Sequence, residues 1–119
     1  MQEKRLFDAE YKFMDILWEM EPINSTQLAR ICEDRLGWKK PTTYNMLRKL
    51  GEKGVVRNER ATVTALIKRE DVRQAESEAL MERAFGGSVP LFVATLLGGR
   101  KLTREEADSL KRMIEEAAQ

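Results

Sequence analysis

Residues 38–53 read WKKPTTYNMLRKLGEK, a single helix with two unlike faces. Thr43, Met46, Leu47 and Leu50 recur at three- and four-residue spacing, the pattern of a stripe packed on a core. At about 100° per residue, Pro41, Asn45, Arg48 and Glu52 point the opposite way, flanked by Tyr44 and Lys49. That outward face offers amide, guanidinium, ammonium and phenol groups, which suit base edges and phosphates. Taken alone it is equally an ordinary solvated helix face, so the flanking segments carry the decision.

On the C-terminal side, Lys53-Gly54 is a helix stop, and VVRNERATVTALI follows (55–67). Val55-Val56 and Thr62-Val63-Thr64 read as two short strands, with Arg57-Asn58-Glu59-Arg60 as a polar, partly basic turn. On the N-terminal side, Pro41 suits the first turn of the helix, and Gly37 suits the left-handed end of the helix before it. That preceding helix starts at Asn24, where Asn24 and Gln27 have capping-box spacing and Ile23 can pack back across the cap. Its buried stripe is Leu28, Ile31, Cys32 and Leu36, which makes Cys32 a structural thiol rather than a redox sensor. A first helix runs from an N-cap at Asp8 to about Met20. Its stripe is Tyr11, Met14, Leu17 and Trp18, widened by Phe13 and Ile16, and Glu21-Pro22 ends it. Three helices and a hairpin, with basic groups on the third helix and at the hairpin tip, make the winged helix-turn-helix layout. In that layout the third helix enters the major groove and the hairpin lies along the backbone.

From Lys68 the character changes. REDVRQAESEALMERAF (69–85) is a charged helix with a thin stripe of Val72, Ala75, Ala79, Leu80, Ala84 and Phe85. Gly86-Gly87 breaks it, and Ser88 can cap a short helix, Val89 to Leu97, whose Leu91, Phe92, Val93, Leu96 and Leu97 crowd all sides. Gly98-Gly99 breaks that in turn. Thr103 and Glu106 form a capping box for a last helix with Leu110, Met113 and Ile114 on one face. A short apolar helix beside one thin neighbour needs another surface. A second copy of the same segment is the simplest supply, and folding back on the winged helix is the alternative. Expected dimer residues are Phe85, Leu91, Phe92, Leu96, Leu110, Met113 and Ile114. The expected fold class is mainly α with a small β-hairpin: a winged helix-turn-helix domain at 1–67 and a helical dimerisation region at 68–119.

The 119 residues carry a net charge of only +1, but unevenly. Residues 38–60 hold seven Lys/Arg against two Asp/Glu, whereas residues 1–37 hold five against eight. The basic block coincides with the two-faced helix and the hairpin, the local signature of a nucleic-acid partner. No apolar run approaches the roughly 20 residues that span a bilayer, and MQEKRLFDAE has no apolar signal core. One cysteine allows no internal disulfide. A cytoplasmic protein with no membrane association is expected.

Catalytic chemistry finds no foothold. The absence of histidine removes the commonest general base and metal ligand, and one cysteine builds no thiolate cluster. The glycine pairs lack the residues of a phosphate loop. Carboxylates such as Glu76, Glu78 and Glu82 sit in solvated helical charge patterns. A non-enzyme without cofactor or metal is expected.

With this organisation in place, the chain resembles the penicillinase-repressor family, which contains repressors of β-lactamase and methicillin resistance and related copper-responsive repressors. The matching pieces are DAEYKFMDILWEMEPINSTQL (8–28), the W-x-x-x-T-x-x-x-L-L-x-K-L pattern over Trp38 to Leu50 with Met46 in place of its first leucine, KG at 53–54, FGGS at 85–88 and LTREEADSLKRMIEE at 102–116. The resemblance implies a homodimeric repressor with two winged helices on an inverted repeat of double-stranded DNA and a C-terminal helical arm. Carried over by position, it places Thr42, Tyr44, Asn45, Arg48 and Lys49 on the DNA-facing helix, Arg57 and Arg60 in the wing, and Phe92, Leu96, Leu110 and Ile114 in the arm. Three departures bound it. The returning wing strand ATVTALI lacks the family's aromatics and turn glycine. Thr95-Leu96 stands where members released by a membrane-linked metalloprotease carry Asn-Phe. The tail MIEEAAQ lacks the cysteine pairs of the copper sensors.

The expected function is a homodimeric transcriptional repressor that occupies an inverted-repeat operator. Asn45 and Arg48 are the expected base readers, because arginine forks onto guanine and asparagine onto adenine. Lys39, Lys40 and Lys49 are the expected phosphate contacts, and affinity is expected from all seven basic groups of residues 38–60. A winged helix used as a protein-interaction module and a DNA-binding activator are the alternatives. The residues name no effector and no regulatory protease.

Overall fold

The computed structural model describes residues 5–118. Met1–Lys4 of the N-terminal stretch and Gln119 of the tail lie outside the described residues. Contacts divide the chain into two compact units at Ser77/Glu78.

The first unit contains α1 (Asp8–Met20), β1 (Ile23–Asn24), α2 (Ser25–Leu36), α3 (Lys40–Lys53), β2 (Val56–Glu59), β3 (Thr62–Ala65) and the first turns of α4 (Arg69–Phe85). Local signals account for most of these boundaries. Gly37 and Gly54 end α2 and α3 with φ of 71° and 84°, in the left-handed region that glycine enters without steric cost. The Asn24 side chain caps α2 by accepting from Thr26 N at 2.8 Å, one residue earlier than the Asn24/Gln27 pairing expected. The α1 cap also differs from expectation. Phe7 is the N-cap residue and Asp8 the first helical residue, because buried Glu10 reaches back to accept from Phe7 N at 2.8 Å.

The strands form one antiparallel sheet of order β1-β3-β2. β1 is a strand that the sequence concealed: Ile23 pairs with Val63 and Asn24 with Thr62. The hairpin register runs from Val56↔Ala65 to Glu59↔Thr62, so the turn is Arg60-Ala61 and not Arg57–Arg60. Both turn residues have positive φ, 53° and 66°, which matches the right-handed twist of two strands joined by a two-residue loop. Ala61 O accepts from Ser25 N at 2.8 Å and ties the turn to the start of α2.

The core gathers Phe13, Met14, Leu17, Leu28, Leu50, Val55, Val63 and Val72, each at most 1% exposed. The buried centre of α1 is therefore Phe13, Met14, Ile16 and Leu17, whereas Tyr11 and Trp18 are half-buried on its flank. The first turns of α4 explain that rotation. Arg69 lies over the Trp18 ring at 5.2 Å, Trp18 Nε1 donates to Ile67 O at 3.0 Å, and Val72 enters the core.

The second unit holds the rest of α4, then α5 (Val89–Gly98) and α6 (Arg104–Ala117). Ser88 Oγ accepts from Leu91 N, and Thr103 and Glu106 cap each other reciprocally at 3.0 and 2.9 Å. Phe85 and Phe92 meet edge to face at 5.2 Å. Neither α5 nor α6 buries a residue: Leu91, Leu96, Leu110, Met113 and Ile114 remain 39–61% exposed. Among the described residues, no single helix is long and apolar enough to cross a membrane.

Candidate nucleic-acid interface

α3 is held by one face and open on the other. Thr43, Met46, Leu47 and Leu50 are buried, while Lys40, Pro41, Thr42, Tyr44, Asn45, Arg48, Lys49 and Glu52 are exposed, with Lys39 exposed at the N-cap. A stacked ring pair fixes the start of the helix against α1. Trp38, just before it, stacks on Phe13 at 6.4 Å with the rings 7° from parallel. Cys32 of α2 is fully buried, which pushes its thiol pKa up, and the Thr43 hydroxyl opposes part of that shift.

The basic groups do not all face solvent. Lys53, one of the seven expected to supply DNA affinity, turns inward: its Nζ donates to Arg5 O at 2.6 Å and Glu10 Oε1 at 3.0 Å, and it lies 5.3 Å from the Phe7 ring centre. It anchors the C-terminal end of α3 to the start of α1. Exposed charge in the block is carried by Lys39, Lys40, Arg48, Lys49, Arg57 and Arg60.

The hairpin stands beside α3. A groove between α3 and β2 is lined by Tyr44, Leu47, Arg48, Gly51, Glu52, Val56 and Asn58. Strand alternation puts Asn58 on the same side of β2 as buried Val56, and so in this groove. Arg57 projects from the opposite side, in the strand rather than in a turn, and Arg60 occupies the tip. Asn58 lies in the groove although the sequence reads as a turn over Arg57–Arg60. Strand alternation counted from Val56 is the signal that finds it. Within the groove Arg48 Nη1 donates to Glu52 Oε1 at 3.0 Å.

The expected arm residues lie in the second unit. Leu80, Phe85, Phe92, Thr95 and Leu96 line an apolar depression there with Gly99 and Arg100. Leu110, Met113 and Ile114 share an exposed stripe of α6.

A family model described as Penicillinase repressor matches residues 6–116. A curated relative, a penicillinase repressor from Bacillus licheniformis, is 24% identical over 116 residues, spanning 94% of this chain and 91% of the relative.

Proposed function

The chain belongs to the penicillinase repressor family, a family of DNA-binding transcriptional repressors, and from that premise we propose that it acts as a homodimer on an inverted-repeat operator. Residues 1–67 serve as the DNA-binding domain and 68–119 as the dimerisation region. Each α3 enters a major groove, the two about 34 Å or a multiple of that apart, and promoter occupancy excludes transcription. Asn45 and Arg48 read bases, with Thr42 and Tyr44 beside them. Lys39, Lys40, Lys49, Arg57 and Arg60 hold phosphates.

The observation that carries this reading is the division of α3: a buried apolar face clamps it, and its outward face presents amide and guanidinium groups amid exposed cations. Dimerisation has its own support. A three-helix unit in which α5 and α6 bury no residue lacks a core, and exposed Leu91, Leu96, Met113 and Ile114 supply the missing half when two copies meet. Selection of genomic fragments by the purified chain tests the function. Recovery of one inverted repeat supports it, and no enrichment at low salt sinks it.

A further inference from the structure

We propose that Glu52 sets the selectivity of the α3 face by competing with DNA for Arg48, and that the preferred duplex offers it a cytosine amino group beside the guanine read by Arg48. The inference rests on the reading of α3 as the recognition helix. Arg48 and Glu52 are one turn apart, 3.0 Å between Nη1 and Oε1, with side chains 63% and 61% exposed. Both line the groove between α3 and β2, so the carboxylate sits where DNA would be read.

Relative strengths decide which partner Arg48 keeps. An exposed pair at this spacing shifts an equilibrium by no more than about two- to threefold. A guanidinium forked onto guanine O6 and N7 is worth about five- to hundredfold in affinity. Guanine therefore takes Arg48 from Glu52, whereas a duplex without guanine at that position leaves the pair closed. The released carboxylate accepts hydrogen bonds and donates none. Amid DNA phosphates it is repelled unless a base amino group faces it, and cytosine N4 is the donor that pairs with carboxylates in the major groove. Glu52 is one of two acids among nine charged residues at 38–60. Placed in the groove, it weakens binding to every sequence that does not satisfy it, which is how repulsive elements create discrimination.

The test begins with the full chain selecting its preferred duplex from a random library. Affinities for that duplex and a scrambled one are then measured at a single salt concentration. Glu52→Gln keeps the side-chain shape and removes the charge at an exposed position. We expect it to tighten binding to the scrambled duplex about two- to threefold and to leave the selected one unchanged or weaker, so the ratio of the two affinities falls. An unchanged or larger ratio overturns the inference, since a merely solvated Glu52 would shift both affinities alike. A wild-type ratio near one removes the recognition-helix reading itself, and this inference with it.

Discussion

Lys53 Nζ lies 3.0 Å from Glu10 Oε1, joining the last turn of α3 to the first turn of α1 across 43 residues of chain. Glu10 is 5% exposed at its side chain and Lys53 25%, so neither is a freely solvated charge. The same carboxylate oxygen accepts from Phe7 N. One glutamate thus caps α1 and anchors the far end of the helix that carries the candidate interface.

Removing that anchor is predicted to cost stability rather than DNA affinity. Lys53→Met leaves a buried carboxylate short of a partner, at a cost of about 1–3 kcal/mol. Urea unfolding should show the loss. The salt dependence of DNA binding should keep its wild-type slope, because Lys53 does not reach a phosphate. A flatter slope would place Lys53 on the DNA.

Arg48→Ala and Lys40→Ala are predicted to differ in kind. Loss of a forked guanine contact costs about 1–3 kcal/mol on the preferred duplex and relaxes its selection. Loss of Lys40 weakens all duplexes alike and lowers the salt slope by about one. Titrations on preferred and scrambled duplexes at two salt concentrations separate the two. Equal losses on both duplexes for Arg48→Ala would count against base reading.

The wing turn holds a side chain where glycine is favoured. Ala61 has φ of 66°, and relieving that left-handed conformation with Ala61→Gly should stabilise the chain by about 0.5–1 kcal/mol. Its carbonyl bond from Ser25 N is a backbone contact that the substitution retains. A lower melting temperature for the variant would contradict this account of the turn.

Alkaline pH should destabilise the fold through groups that burial keeps protonated. Burial raises the pKa of Cys32 and, with Glu76 and Asp15 adding to it, that of Tyr11. The folded chain then holds these protons more tightly than the unfolded chain. Their contribution is complete below the unfolded values and lost as pH rises through the raised folded ones. Stability should therefore decline above about pH 8.5, the ordinary thiol value. Cys32→Ala should show a shallower decline in denaturant titrations across that range, and identical slopes would remove Cys32 from the explanation.

Charges in the proposed dimer seam should separate the protomers. Phe92 packs on Phe85 within the α4–α5 corner, whereas Leu96 is 42% exposed. Leu96→Asp therefore tests the seam with the smaller risk to the fold, and Phe92→Asp extends it. Sedimentation should report monomers, with DNA binding weakened in parallel. An unchanged oligomeric state would exclude this seam.

Much of the fold was legible in the residues because the deciding interactions are local. Gly37 and Gly54 end helices by their own backbone freedom, Ser88 and Thr103 cap helices within three residues, and the buried stripe of α3 follows from its spacing. The two-faced helix and the basic block around it were equally plain. Tertiary structure alone decided what depends on distant partners. Ile23-Asn24 is a strand only because Val63 and Thr62 lie beside it. Trp18 leaves the centre of the α1 stripe because Arg69 and Ile67 hold it at the flank. Lys53 turns away from the exposed basic face to the interior because Glu10, 43 residues back in the chain, lies there. A residue's type and spacing state what it can bond to. Which of several possible partners it takes is settled only when segments far apart in the chain are brought together.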